Sequence, residues 1–337
     1  MPQLLGILLL SFFITAVLLV PLIDFLYKLK LKKTDEKKRV DTLDQVTPVT
    51  ARLLGKKPKI PIGAGGLVVL VTCILSLWSF GLLGINARAG ELFILLFAML
   101  SFGLLGLYDD IRKNFNGLKN SFFGLRWRHK FIIQIVLGLI IGSYFWGYLR
   151  YDFINIHWFG LLDVGILFVP ITAFVVVAFA NAYNITDGLD GLSSGVLFVC
   201  LIAFMVLSAQ LLHPSLALFI AVWIGSLLAF LYFNVYPARV ELGDTGALAF
   251  GATLAVVGLL TGKIFALAII GGVFILEVLS STIQMLSKHY LKRKFFVVAP
   301  LHLWFMNRGW EEPKVVARFW LMAVLFAIFG LWISVIK

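Results

Sequence analysis

The chain has 337 residues, 61% of them hydrophobic and 15% aromatic, with a formal charge of +12 and a mean hydropathy of +0.99. Soluble domains are about 45–50% apolar, so this composition excludes a soluble globular fold and points to an integral membrane protein. A nucleic-acid surface is also excluded as the meaning of the basic excess, because the Lys and Arg residues are divided among loops between apolar runs.

Apolar runs of about 18 residues with few charges read as transmembrane helices. Ten are predicted, over residues 3–27, 62–84, 91–108, 131–149, 164–183, 193–211, 215–236, 246–261, 264–287 and 314–336. The first is expected to be a retained helix, since it has no basic leader and no small-residue cleavage site before "YKLKLKKTDEKKR". Alternating polar and apolar strands do not occur, which speaks against a β-barrel. Cys73 and Cys200 fall within spans without paired spacing and are expected to be packing residues. With no internal repeat, residues 1–337 read as a single polytopic, all-α membrane domain.

Threaded with the N-terminus outside, segments 28–60, 109–130, 237–245 and 288–318 share one face and hold 25 of the 29 Lys and Arg residues. The positive-inside rule makes that face cytoplasmic, with both termini on the other side.

The acidic residues follow the same face. Asp109 and Asp110 end the third span in "GLLGLYDDIRK", Asp187 and Asp190 follow the fifth in "NAYNITDGLDGLSSG", and Asp244 precedes the eighth in "FNVYPARVELGDTGALAFG". Each has a plain explanation. An Asp pair at a helix end is commonly a solvated cap, "DGLDG" is also a turn sequence, and "GDTG" is also an N-cap. Three such clusters on one face favour convergence into a site. Carboxylates that converge repel unless a cation sits among them. Mg²⁺ takes one or two carboxylates plus substrate phosphates, which is the arrangement phosphoryl transfer needs. The helix starts after Asp190 and Asp244 offer N–H groups to phosphate, and Arg112, Lys113 and Lys56-Lys57-Pro58-Lys59 offer cations. "PIGAGG" (61–66) permits close backbone approach, whether to a ligand or to another helix. Residues 288–310 interleave Lys and Arg with Phe and Trp, a membrane-interface composition, and include His302. A transporter would want ionisable groups near the midplane, for which Glu277 is the candidate.

Together "LYDDIRK", "NAYNITDGLDGL", "FNVYPARVELGDTGALAFG", "IIGGVFILEVLSSTIQ" and "APLHLWFMNRGWEEPKVVARFW" resemble, in order and spacing, the phospho-N-acetylmuramoyl-pentapeptide transferases. These belong to the polyprenyl-phosphate N-acetylhexosamine-1-phosphate transferase superfamily. The resemblance implies a ten-helix fold in the bacterial cytoplasmic membrane, with its active site on the cytoplasmic face. It implies Mg²⁺-dependent transfer of phospho-MurNAc-pentapeptide from UDP-MurNAc-pentapeptide to undecaprenyl phosphate, giving lipid I and UMP. The lipid bilayer is then the working environment, and a homodimer is compatible with it. A UDP-N-acetylhexosamine donor without the peptide is the alternative within the superfamily.

Carried over by motif, Asp109 and Asp110 match the paired aspartates that handle the lipid phosphate, and Lys113 matches a phosphate-facing lysine. Asn181, Asn184, Asp187 and Asp190 fall in the nucleotide and metal loop, with Gly188 and Leu189 beside the uridine. Asp244 matches the magnesium-binding aspartate and Asn234 the asparagine before it, with Asp187 as a second metal contact. His302 matches the first of three consecutive histidines, the other two being Leu303 and Trp304 here. "IPIGAGG" is one residue longer than the family's usual form. Glu241 stands where the family has a Phe that stacks on uracil.

Base–aromatic stacking is worth ~1–3 kcal/mol by alanine substitution. Glutamate cannot stack; it either accepts a hydrogen bond from uracil or ribose, or pairs with Arg239. Glu241→Phe should therefore tighten uridine-nucleoside inhibitors by roughly tenfold in titration calorimetry. Unchanged or weaker binding would mean that the pocket lies elsewhere or that Glu241 itself reads the base.

Overall fold

The computed structural model describes residues 2–29, 60–83, 89–115, 125, 127–156 and 160–335. These form α1 (Pro2–Lys28), α2 (Ala64–Leu83), α3 (Ala89–Phe115), α4 (Trp127–Gly147), α5 (Phe168–Thr186), α6 (Leu192–Gln210) and α7 (Pro214–Asn234). Then come α8 (Gly243–Leu260), α9 (Ile264–Ile270), α10 (Gly272–Tyr290), α11 (Leu301–Asn307) and α12 (Glu312–Val335). In hydrocarbon a helix satisfies its own backbone polar groups, which is why apolar runs of this length become helices. Among the described residues nine helices are long and apolar enough to cross a membrane, or ten if α9 and α10 count as one bent span.

α7 and α8 are buried along most of their length and form the centre. α1 packs along α7, α3 and α5 along α8, and α4 along α5. Hydroxyls inside the bundle bond to one another or to carbonyls, as Thr72 does with Ser226 at 2.6 Å and Ser11 with the Val222 carbonyl at 2.7 Å. Cys73 and Cys200 are free and buried.

Two ends can be told apart by their bonds. At one, Tyr27 Oη donates to the Arg239 carbonyl, Glu241 N to the Pro61 carbonyl and Asp190 N to Glu312. At the other, Tyr151 Oη donates to the Leu260 carbonyl, Lys263 Nζ to that of Ser334, and His213 Nδ1 lies 3.8 Å from Glu91. Arg239, Glu241 and Glu312 of two basic segments, and Tyr27 and Pro61 flanking a third, thus lie at the first end, where Asp110 of the fourth accepts the Asp244 N–H.

Three features depart from the sequence reading. The ninth span, expected as continuous over 264–287, bends by 76° between α9 and α10. A Cβ at Gly271 would lie 2.5 Å from Phe179, and one at Gly272 would lie 3.0 Å from Phe326, so the glycine pair lets the turn nest against two rings. A two-stranded antiparallel hairpin, β1 (Phe153–Ile156) and β2 (Gly160–Asp163), precedes α5. Four-residue strands are too short to show alternation. Finally, α3 continues seven residues beyond the expected end at 108, so Asp109, Asp110 and Lys113 are helical.

The close contact of α3 with α8 depends on Gly106, where a Cβ would lie 2.2 Å from the Asp244 carbonyl oxygen. At Gly103 the nearest atom would be at 3.5 Å, an ordinary contact. Gly106→Ala should therefore destabilise the protein by about 1–3 kcal/mol and Gly103→Ala should not, read as thermal midpoints in detergent. Equal midpoints would show that the helices part without cost.

Candidate active site

Asp109, Asp110 and Lys113 lie near the C-terminal end of α3, Lys130 in the first turn of α4 and Asp244 in the first turn of α8. Lys113 Nζ is 3.0 Å from Asp109 Oδ2 and 2.7 Å from Asp244 Oδ2. Lys130 Nζ is 3.0 Å and 2.5 Å from the same two oxygens. Two ammonium groups are thus shared by two carboxylates from different helices. The other oxygen of Asp109 accepts the Leu125 N–H at 2.8 Å. Asp109 is 2% exposed, whereas the lysines reach solvent.

Asp110 faces elsewhere. Its oxygens accept the N–H groups of Asp244 and Thr245, at 3.1 and 2.9 Å, and the Thr245 hydroxyl at 2.7 Å. A carboxylate on α3 therefore caps the start of α8, satisfying donors that the helix cannot satisfy itself. Arg112 lies over the Tyr108 ring, 5.4 Å from its centroid.

The segment 181–195 is helix, turn and helix. Asn181 lies in the last two turns of α5 and donates to Gln134 of α4 at 2.7 Å. Asn184, one turn on, is half-buried. Asp187 closes α5 and accepts the Ser193 hydroxyl at 2.5 Å. Asp190 accepts the Ala238 N–H at 3.0 Å, and its own N–H donates to Glu312 of α12. Asn234, 5% exposed, accepts from Gly191 N and donates to the Val240 carbonyl, which ties this turn to the segment before α8. Trp320 Nε1 donates to the Gly191 carbonyl. Gly188 lies against the ring of His302, while Leu189 is buried in the core.

"PIGAGG" pairs with the segment before α8 through its backbone. Ile62 and Glu241 form a parallel bridge, and Gly65 N donates to the Leu242 carbonyl at 2.9 Å. Close approach here is between two chain segments. Arg239 lies over Phe233, 5.7 Å from its centroid. Around α11, Arg308 lies 4.4 Å from the Trp304 ring centroid and Arg318 of α12 lies 4.1 Å from that of Trp310. The 56–59 basic run lies outside the described residues.

Sequence reasoning missed Lys130, Glu312 and Trp320. Lys130 opens a span and reads as an ordinary interfacial lysine. Glu312 and Trp320 lie more than a hundred residues from the turn they hold.

The described oxygen donors suit a hard cation. Among the described residues no three His, Cys, Asp or Glu side chains gather as a ready metal cage. Asp244 and Asp187 are carboxylate donors of the kind a magnesium ion completed by substrate phosphates would take.

The family model for glycosyl transferase family 4 matches residues 92–262, a stretch that runs from α3 through α8 and contains the lysine–aspartate cluster. A phospho-N-acetylmuramoyl-pentapeptide-transferase of Campylobacter curvus is 37% identical over 297 residues, covering 82% of this chain and 81% of the relative. One from Anoxybacillus flavithermus is 36% identical, covering 80% and 83%. One from Geobacillus sp. is 34% identical over 333 residues, covering 97% and 96%. Since the likeness includes the motifs that build this end of the bundle and continues through almost the whole chain, the chain belongs to the phospho-N-acetylmuramoyl-pentapeptide-transferase family.

Proposed function

We propose that this chain transfers phospho-N-acetylmuramoyl-pentapeptide from its UDP carrier to undecaprenyl phosphate, releasing UMP and forming lipid I for peptidoglycan synthesis. The reading is carried by the Asp109–Lys113–Lys130–Asp244 cluster, in a chain that matches the named transferases along nearly all of its length. By the positive-inside rule, the basic loops at this end support a site on the cytoplasmic side of a bacterial inner membrane. The relatives' names favour the peptide-bearing donor over a plain UDP-N-acetylhexosamine. Glu277, the transporter's midplane candidate, is engaged by His302.

In the reaction, an oxygen of the lipid phosphate attacks the sugar-linked phosphorus. The P–O bond to UMP breaks, and its electron pair leaves on the UMP phosphate. Lys113 and Lys130 turn from the carboxylates to phosphate oxygens as substrates enter, cancelling charge where it gathers. Asp109 takes any proton left on the attacking phosphate. Both oxygens of Asp109 and both of Asp110 already accept hydrogen bonds, which favours direct attack over a phosphorylated aspartate. Asp110 is a positioning residue that sets the first turn of α8. Asp244, helped by Asp187, would hold Mg²⁺, which supplies charge neutralisation on the diphosphate when bound. Asn181, Asn184, Asp190, Gly188, Asn234 and His302 shape the donor's surroundings.

The direct test is UMP release by the purified protein with Mg²⁺, undecaprenyl phosphate and each UDP-sugar in turn; release only with a peptide-free donor would replace this assignment. Asp244→Asn should stay folded, because Asp109 still holds both ammonium groups, yet lose at least ~100-fold in turnover. Near-normal turnover at saturating Mg²⁺ would remove Asp244 from the site. Asp110→Asn should lower the thermal midpoint without substrates, since an amide opposes one of three donors and leaves it unpaired, at about 1–3 kcal/mol. An unchanged midpoint with lost activity would instead make Asp110 a direct participant.

A further inference from the structure

Glu277 stands in an apolar stretch of α10 and is fully buried, at 0% exposure. A carboxylate there is costly unless every oxygen is matched. Both are matched by one residue. Oε1 accepts the backbone N–H of His302 at 3.0 Å, and Oε2 lies 2.9 Å from its Nδ1. Glu277 thus grips His302 by main chain and ring together, fixing where α11 begins and how the imidazole is turned. With Glu277 ionised its oxygens only accept, and the hydrogen bond then calls for the proton on Nδ1.

Nε2 is the ring nitrogen left over. It faces the turn between α5 and α6: a Cβ built on Gly188 would lie 2.6 Å from Nε2 and 3.1 Å from Cε1. The bare glycine is what admits the ring to the turn that carries Asp187 and Asp190. Among the described residues Nε2 has no hydrogen-bond partner, although His302 as a whole is only 2% exposed.

We propose that Glu277 is a positioning residue of the transferase, holding His302 as the Nδ1–H tautomer so that Nε2, at Gly188, hydrogen-bonds the nucleotide-sugar donor. The identity of that ligand rests on the transferase reading; the geometry of the pair does not. The pair joins α10 and α11 to the α5–α6 turn, which lies about ninety residues earlier in the chain. A pair that served only as buried glue would leave the tautomer without consequence for the donor.

The test uses the full chain in detergent. Nitrogen-15 histidine spectra of the wild type should show Nδ1 protonated and Nε2 bare at neutral pH. Glu277→Gln, whose amide can donate to Nδ1, should shift His302 toward the Nε2–H form. The same variant should lose roughly tenfold or more in kcat/KM for UDP-MurNAc-pentapeptide, the scale of one hydrogen bond, while the KM for undecaprenyl phosphate stays within about twofold. Glu277→Asp should restore the Nδ1–H signature and part of the rate. If Glu277→Gln does not fold, His302→Asn keeps a donor toward Glu277 and removes Nε2, and it should show the same donor-selective loss. An Nε2–H tautomer in the wild type, wild-type kinetics in Glu277→Gln, or equal losses toward both substrates would overturn the proposal. If the wild type releases no UMP with this donor, the transferase reading fails while the spectra still decide the pair.

Discussion

Two lysine ammonium groups are shared between two carboxylates, and the architecture of this end of the bundle follows from that arrangement. Asp109 and Asp244 come from helices that touch at Gly106, so their charges would repel at short range without Lys113 and Lys130 between them. Partly buried ion clusters contribute little net stability relative to apolar packing, but losing one partner is expensive. The cluster is thus better understood as a set of charges held ready than as a fastening. Lys113 is its most exposed member, with 30% of the side chain open, and it is the one an incoming anion reaches first.

The turn between α5 and α6 is held differently, by neutral and charge-assisted hydrogen bonds to main-chain atoms. Asp190, Asn234, Glu312 and Trp320 each bond the backbone of a segment distant in sequence. Such bonds fix the path of the chain, and so the directions of the side chains it carries. A rigid frame suits a reaction in which orientation supplies much of the rate.

Much of this was legible in the sequence. Hydropathy located the spans because every lipid-exposed backbone must form its own hydrogen bonds. A common face led to the expectation that Asp109, Asp110, Asp187, Asp190 and Asp244 converge; hydrogen bonds link Asp109, Asp110 and Asp244, whereas Asp187 bonds Ser193 and Asp190 bonds Ala238. The separate duties of Asp109 and Asp110 did not follow, because the two are adjacent and chemically identical; the helix rotation between neighbours sends one to the lysines and the other to the first turn of α8. Lys130 could not be singled out, since a lysine at the start of a span has an ordinary interfacial explanation. The 76° bend had a cue in Gly271-Gly272, but what makes it fit is the pair of rings from α5 and α12 that fill the space beside them. Glu277 was visible as a carboxylate in an apolar run, while its partner, on a seven-residue helix eleven residues beyond the end of α10, was not.

The bridge between Ile62 and Glu241 has a consequence for how the family can vary. Residue 241 is held by its own N–H and carbonyl, which bond Pro61, Gly63 and Ala64. Every residue except proline supplies those atoms, so the pairing makes no demand on the side chain. A change of side chain at 241 can therefore proceed without disturbing the entry to α8. The backbone keeps its course while the residue is exchanged, and this makes 241 a position whose chemistry can change separately from the fold.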